Sequence, residues 1–434
     1  MTGRDIELNR RDMLAGLAGA LVAAGSLPAT AQPAPRNPQQ LLLQATAENV
    51  ALRAGGPPSP VWGLQRMPAD SELRFTRGDE LAVAFENKLP GPTMLTWRGL
   101  AAPPTAAAAG GGVKTILPLK HAGTFLCDGR LLGDGQPRPS PVRGLVVQER
   151  EPVDVDLDQL LLIEDWRIGP DGAPSAPGSA SEAPPAFTVN GRPTLDIEAA
   201  PNARLRLRFI NACQRAVIAI RIEEHDVRVM AIDGQPSEPF LARNNQIVLA
   251  PGTRIDVFVD ATRPAGSSSA ILLHDGKEPR PIARLVTTSK PALRAAPRPD
   301  PSPLPSNGLP DRLDLKSALR ADLPLSGGPD WLAPTPDLSP TARPAFRVKR
   351  GRCVVLALAN AGPAPMVFHL HGHHARLLDR LDDGWKPFWI DTVVVGPGQT
   401  DRIAFQPDTA GRWLLEAMAT DWAAPRRIRS FVVE

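Results

Sequence analysis

Four of the seven histidines crowd into six residues, His369-Leu370-His371-Gly372-His373-His374. Imidazoles at i and i+2 on a strand lie on one face, so His369 and His371 can share a metal ion. Two imidazoles without a third ligand make a weak site, and His373 and His374 are the nearest further donors. His121, His225 and His274 stand alone in the sequence. Asp128 and Glu416 are a candidate acid and base, but the sequence fixes no nucleophile beside them. The three cysteines, Cys127, Cys213 and Cys353, are an odd number, which excludes a full disulfide framework. Cys213 and Cys353 sit in apolar alternating stretches and read as buried thiols. Cys127 adjoins Asp128.

These residues need strands to position them. Leu81–Asn87, Arg204–Ile210, Arg254–Asp260 and Arg402–Phe405 alternate apolar and polar residues. Turns such as Gly78-Asp79, Pro251-Gly252 and Gly396-Pro397-Gly398 precede strands of this kind. In Arg204–Ile210 the alternation predicts arginines facing outward. Long amphipathic helices are missing, proline is abundant at 49 residues, and tyrosine is absent. The fold class read from this pattern is all-β, built of antiparallel sandwiches.

A chain of 434 residues is long enough for two to four domains. Two composition shifts divide it. Residues 169–185 are rich in Gly, Pro, Ala and Ser and read as a surface loop. Residues 291–340 are Pro-rich and read as a linker. The sandwich units are then about 40–150, 151–290 and 341–434. The formal net charge of +3 comes from arginines scattered along the chain, read as a solvated surface, and argues against a nucleic-acid partner. Residues 1–31 have the parts of a twin-arginine export signal: Arg10-Arg11, an apolar run from Leu14 to Leu27, and the small-x-small site Ala29-Thr30-Ala31. A mature protein beginning near Gln32 in the periplasm is the expectation, with no membrane span after signal removal.

Several strings, in this order, resemble multicopper oxidases, laccase-like proteins built from cupredoxin domains. They include Asn87-Lys88-Leu89-Pro90, Ala122-Gly123-Thr124-Phe125, Phe209-Ile210-Asn211-Ala212, Ile232-Asp233-Gly234 and Val248–Val257. Phe368-His369-Leu370-His371-Gly372-His373, Asp391-Thr392-Val393 and Gly411-Arg412-Trp413 follow. The resemblance implies three cupredoxin-like Greek-key β-sandwich domains. It also implies what an active member would carry: a blue copper on two His and one Cys, and a three-copper cluster on eight His. Seven histidines cannot supply that set of ten.

Placed on the family pattern, the ligand positions hold other residues. The first His-x-His falls on Thr96-Trp97-Arg98 and the second on Asp128-Gly129-Arg130. The third-domain motif falls on Met366, His369 and His371. The final His-Cys-His falls on Glu416-Ala417-Met418, and the last blue-copper histidine on Trp422. His369 and His371 remain as a residual metal pair. Thr96, Arg98, Asp128, Arg130, Met366, Glu416, Ala417, Met418 and Trp422 are expected as replacements filling the vacated space. Met366 and Met418 read as core fillers, and Trp331, Trp385 and Trp389 as packing residues. In the family's geometry Arg98, Asp128, Arg130, His369, His371 and Glu416 point into one interdomain cavity.

Copperless members of the superfamily exist. The resemblance therefore implies an exported structural or interaction protein of the cell envelope, related to division, with a periplasmic protein partner and no cofactor. The alternative is a protein that binds one copper ion at His369 and His371, or a residual copper-dependent oxidoreductase.

Overall fold

Among the described residues the hydrophobic alternation becomes strands, and the strands become six sheets that pack in three pairs. The computed structural model describes residues 38–67, 72–133, 142–175, 183–336, 343–379, 384–422 and 424–434. The export signal read in residues 1–31 lies outside the described residues. Among the described residues the helical element is one 3-10 turn, Arg243–Asn245. No helix there is long and apolar enough to cross a membrane.

In the first sandwich the four-stranded sheet runs Ser59–Met67, Gln39–Val50, Glu80–Asn87, Gly112–Pro118. It faces a five-stranded sheet in the order Leu73–Thr76, Val142–Gln148, Gly123–Asp128, Thr93–Arg98, Thr105–Ala107. The second sandwich centres on Arg204–Asn211 and Arg254–Asp260 in one sheet and on Ser268–His274 and Ile218–Ile222 in the other. The third centres on Val354–Ala359 with Thr400–Phe405, and on Gly411–Ala419 with Met366–Leu370. Each pair encloses its own apolar core, around Phe85 and Phe125, Leu207 and Phe209, and Phe368 and Phe405 respectively. Burying such side chains contributes about 1.5–3 kcal/mol each.

One device recurs in all three sandwiches. Asn87, Asn211 and Asn360 are buried at or just after the end of an equivalent strand. Each accepts a backbone N–H two residues on: from Leu89 at 3.1 Å, Cys213 at 2.9 Å and Gly362 at 2.9 Å. Each side-chain amide donates to a carbonyl shortly after it, Gly91, Ala216 or Ala364. Each also donates to one on a distant strand or its end, Ala107, Leu249 or Val395. A buried loop carbonyl needs such a donor, because water does not reach it.

Two sequence readings are corrected. Arg204, Arg206 and Arg208 do not face solvent; the three are buried. Their face of the second sandwich packs against the first, and carboxylates neutralise it. Asp256 accepts from Arg206 at 2.7 Å and Arg208 at 3.0 Å, Asp158 pairs with Arg208 at 2.6 Å, and Glu149 with Arg206 at 2.9 Å. The reading of 291–340 as a linker also changes. Leu319–Pro324 is a strand, pairing in parallel with Val354–Ala359, so the third sandwich begins before residue 341. Ahead of it the chain is a strap. Leu304 packs with Met230 and Phe258 of the second sandwich, and Leu313 with Val355 and Trp389 of the third. Asn307 exchanges hydrogen bonds of 2.8 Å with the backbone of Ala122 in the first.

Candidate functional site

Adjacent strands of the first sandwich deliver four of the sequence-selected residues to one point. Thr96 stands opposite Asp128 across the pair Thr93–Arg98 and Gly123–Asp128. The Thr96 hydroxyl donates to the Asp128 carbonyl at 3.0 Å. Arg98 lies two residues beyond Thr96, on the same strand face, and Arg130 follows Asp128. From the third sandwich, His369 stands opposite Glu416 in the pair Met366–Leu370 and Gly411–Ala419.

The side chains close into a buried ionic junction. The Arg98 guanidinium donates through Nε to Asp128 Oδ2 at 3.0 Å and through Nη2 to both Glu416 oxygens at 2.9 and 3.1 Å. Arg130 holds Asp128 in a fork, Nε to Oδ1 at 2.9 Å and Nη2 to Oδ2 at 2.8 Å. Its Nη1 donates to the Ala212 carbonyl of the second sandwich. Arg426 donates to Glu416 Oε1 at 2.5 Å, and His371 Nε2 lies 2.8 Å from Glu416 Oε2. Arg98 is only 2 % exposed and Asp128 0 %, so water screens none of this. Burial alone would raise the Asp128 carboxyl, but the charges of Arg130 and Arg98 override it and hold it well below the usual range. Glu416 is likewise lowered against its burial, by Arg98, Arg426 and His371.

The rings of His369 and His371 sit edge to face with centroids 4.5 Å apart, as the i and i+2 spacing requires. Their nitrogens do not converge on a common partner. His369 Nδ1 lies 3.0 Å from the Thr392 hydroxyl and 3.4 Å from Asp391 Oδ1, while His369 Nε2 is buried without a hydrogen-bond partner. Burial, then the charge of Arg98, lowers His369 to about 3. Among the described residues no group of three or more His, Cys, Asp or Glu is arranged to hold a metal ion. His373 turns away into the third core, against Trp413 at 4.7 Å, Phe431 at 5.5 Å and Phe405 at 5.6 Å.

The remaining selected residues lie elsewhere. Ala417 and Met366 pack in the third core, and Met418 packs on Ala250 and Val367. Trp422 is half-buried at the edge, its ring beneath the Arg167 guanidinium at 4.9 Å. Of the residues expected to point into one interdomain cavity, Arg98, Asp128, Arg130, His371 and Glu416 are engaged with one another by hydrogen bonds, and His369 belongs to a neighbouring cluster. Cys127, Cys213 and Cys353 are buried and unpaired. Burial raises the Cys127 thiol well above its ordinary value, with Asp128 adding to the effect, so it is not poised as a nucleophile.

Sequence reasoning missed Arg426 and the neighbouring cluster. Arg254 of the second sandwich forks onto Asp391 of the third at 2.9 and 2.6 Å. Asp233 Oδ2 accepts the backbone N–H groups of Asp391 and Thr392 at 3.0 and 3.1 Å. The cluster touches the first sandwich at Thr124, whose carbonyl accepts from Arg254 Nε at 3.3 Å, and at Gly99, where φ is +86° and a Cβ would lie 2.4 Å from Arg254 Nη2. The signal in the sequence was the retention of Asp233, Arg254 and Asp391 within family-like strings.

The comparisons with known proteins agree with this architecture. Two family models, both described as multicopper oxidase, match residues 159–274 and 309–434. The chain is 26 % identical to the multicopper oxidase MmcO of Mycobacterium tuberculosis, over 79 % of this chain and 77 % of that one. It is 25 % identical to the cell division protein FtsP of Pectobacterium atrosepticum, over 90 % of this chain and 92 % of that one. A crystal structure of a multi-copper oxidase from Pseudomonas thermotolerans superposes with a TM-score of 0.78 at 25 % identity, covering 92 % of this chain and all of that one. The three sandwiches are cupredoxin-like domains, and the chain belongs to the multicopper oxidase family.

Proposed function

We propose that this chain is a non-catalytic member of its family, an exported structural or interaction protein of the cell envelope with a division-related role. The observation that carries this reading is the buried junction of Arg98, Asp128, Arg130, Glu416 and Arg426. In the family pattern these strands hold copper ligands. Here the side chains do not fit copper. A guanidinium has no lone pair to offer a cation, and three of them stand among the acids. His371 Nε2 is already engaged with Glu416, and Ala417 stands where the blue-copper thiolate would be needed. The junction therefore does the cluster's joining work between the first and third domains without its chemistry.

Similarity to FtsP over nine-tenths of the chain supports the division-related part of the reading. The twin-arginine segment within residues 1–31 supports export to the periplasm. The test combines two measurements on the copper-loaded protein. Phenol oxidation is expected to stay at the level of free copper, and a specific partner is expected to be retained from the envelope fraction by the wild type. Turnover above free copper, or no partner above background, would overturn the reading.

A second reading has one observation in its favour, the partnerless Nε2 of buried His369. One copper ion on His369 and His371 would use that atom. It would also have to displace Glu416 from His371 and sit beside Arg98. Loss of bound copper in His369→Ala is the result that would support it.

A further inference from the structure

A cleft of about 420 Å³ opens where the first and third domains meet the strap. His121 of the first domain and His374 of the third line it, with ring centroids 5.6 Å apart. Gln235 of the second domain is buried between them.

Hydrogen bonds assign the protons. Asn307 Oδ1 accepts the Ala122 N–H at 2.8 Å, so the other end of this amide is its donor, and it reaches Gln235 Oε1 at 3.0 Å. Gln235 thus presents its own Nε2 as donor, 3.0 Å from His121 Nδ1 and 3.1 Å from His374 Nε2. Each ring accepts on that nitrogen and carries its proton on the other. A proton on His374 Nε2, aimed at the Asp233 carbonyl at 3.3 Å, would be set against the nearer Gln235 N–H at 3.1 Å. His121 Nε2–H and His374 Nδ1–H are then left without protein partners among the described residues.

The rim and wall complete the chemistry. Lys120 and Arg350 line the cleft, and among the described residues no carboxylate pairs with either. Asp408 is the one acid of the lining, and it accepts the Thr409 hydroxyl at 2.9 Å. The lining is therefore cationic by one charge. Trp389, Leu100 and Leu309 give it an apolar side.

We propose that this cleft binds a small organic monoanion, a carboxylate on an aromatic or apolar body. The two imidazole N–H groups and the two rim cations receive the carboxylate, and the body lies along Trp389 and Leu100. Such a combination of an apolar wall with a few convergent polar groups is what a small-molecule site requires. The apolar wall selects against inorganic anions, and the single net charge against dianions.

Benzoate is the probe, with benzamide as its uncharged counterpart of similar shape. Calorimetric titration at constant ionic strength is expected to show saturable one-to-one binding of benzoate and a rise in melting temperature. Benzamide should bind at least about tenfold more weakly. The double variant Lys120→Ala/Arg350→Ala changes exposed side chains only. It should melt like the wild type without ligand and bind benzoate about tenfold more weakly. No binding at millimolar benzoate, equal binding of benzamide, or unchanged affinity in the double variant would each overturn the proposal. Phenol-oxidase turnover plays no part in this test, so its outcome is separate from that of the proposed function.

Discussion

Arginine carries the interdomain contacts. Arg98 joins the first domain to Glu416 of the third, Arg208 meets Thr124 of the first from the second at 3.1 Å, and Arg254 joins the second to Asp391 of the third. A planar fork matches a carboxylate with two bonds at once and is less strongly hydrated than an ammonium, which suits it to burial. Breaking such a pair strands a charge, so Asp128→Ala should cost about 3–5 kcal/mol. Denaturant unfolding of the variant checks it, and an unchanged midpoint would contradict the buried network. The pH dependence follows from the histidines. An unfolded histidine titrates near 6.5, whereas burial lowers His373 to about 4, and His369 and His374 to about 3. Below pH 6.5 the unfolded chain binds protons that the folded chain refuses, so stability falls as pH falls toward those values. Asp128 and Glu416, both lowered, add a further loss below about pH 4, where unfolded carboxyls take protons first. Asp233, Glu164 and Asp165 work in the opposite direction, each raised by burial, and oppose this loss. From pH 7 to pH 5 the wild type should therefore lose melting temperature relative to His373→Phe, which lacks one of these imidazoles. A slope unaffected by that substitution would count against the assignment. In the sequence, Arg98, Asp128, Arg130 and Glu416 were legible through their places on the family pattern. Arg426 was not, because a basic residue after Pro425 and Ala424 looks like any solvated cation until the fold brings it to Glu416.

At the scale of elements, the segments read from period-2 alternation are strands, and Arg254–Asp260 and Glu80–Asn87 match that reading within a residue. What alternation cannot tell is which face meets solvent. Arg204, Arg206 and Arg208 read as an outer face and are an interface, because their partners Asp158, Glu149 and Asp256 lie far away in sequence. The strap escaped notice for a similar reason: its prolines exclude regular pairing, but Leu304, Asn307 and Leu313 each dock on a different domain. Asn307 makes its contacts in a buried place, and its loss would leave the Ala122 backbone and Gln235 Oε1 unserved. Asn307→Ala should cost about 1–3 kcal/mol and expose the 291–318 segment to limited proteolysis before the sandwiches unfold. Cleavage at the wild-type rate would mean that the strap is held elsewhere. The recurring asparagines give a parallel case. Asn211→Ala removes the donors to the Ala216 and Leu249 carbonyls and should lower the unfolding midpoint more than the same change at an exposed asparagine such as Asn49.

On the scale of the whole molecule, the chain has the family's three-domain frame, and Arg98, Asp128, Arg130, Glu416 and Ala417, which the proposed reading places at its metal positions, are buried. Fold alone leaves function open in such a case, so the chemistry at the junction has to decide. The most direct measurement is copper per chain, by elemental analysis after copper loading and desalting. A value near zero is expected, because Arg98, Arg130 and Arg426 occupy the junction and Ala417 offers no thiolate. About one copper per chain, lost in His369→Ala, would favour the residual site, and about four would contradict the placement of Thr96, Arg98, Asp128, Arg130 and Glu416 at the ligand positions.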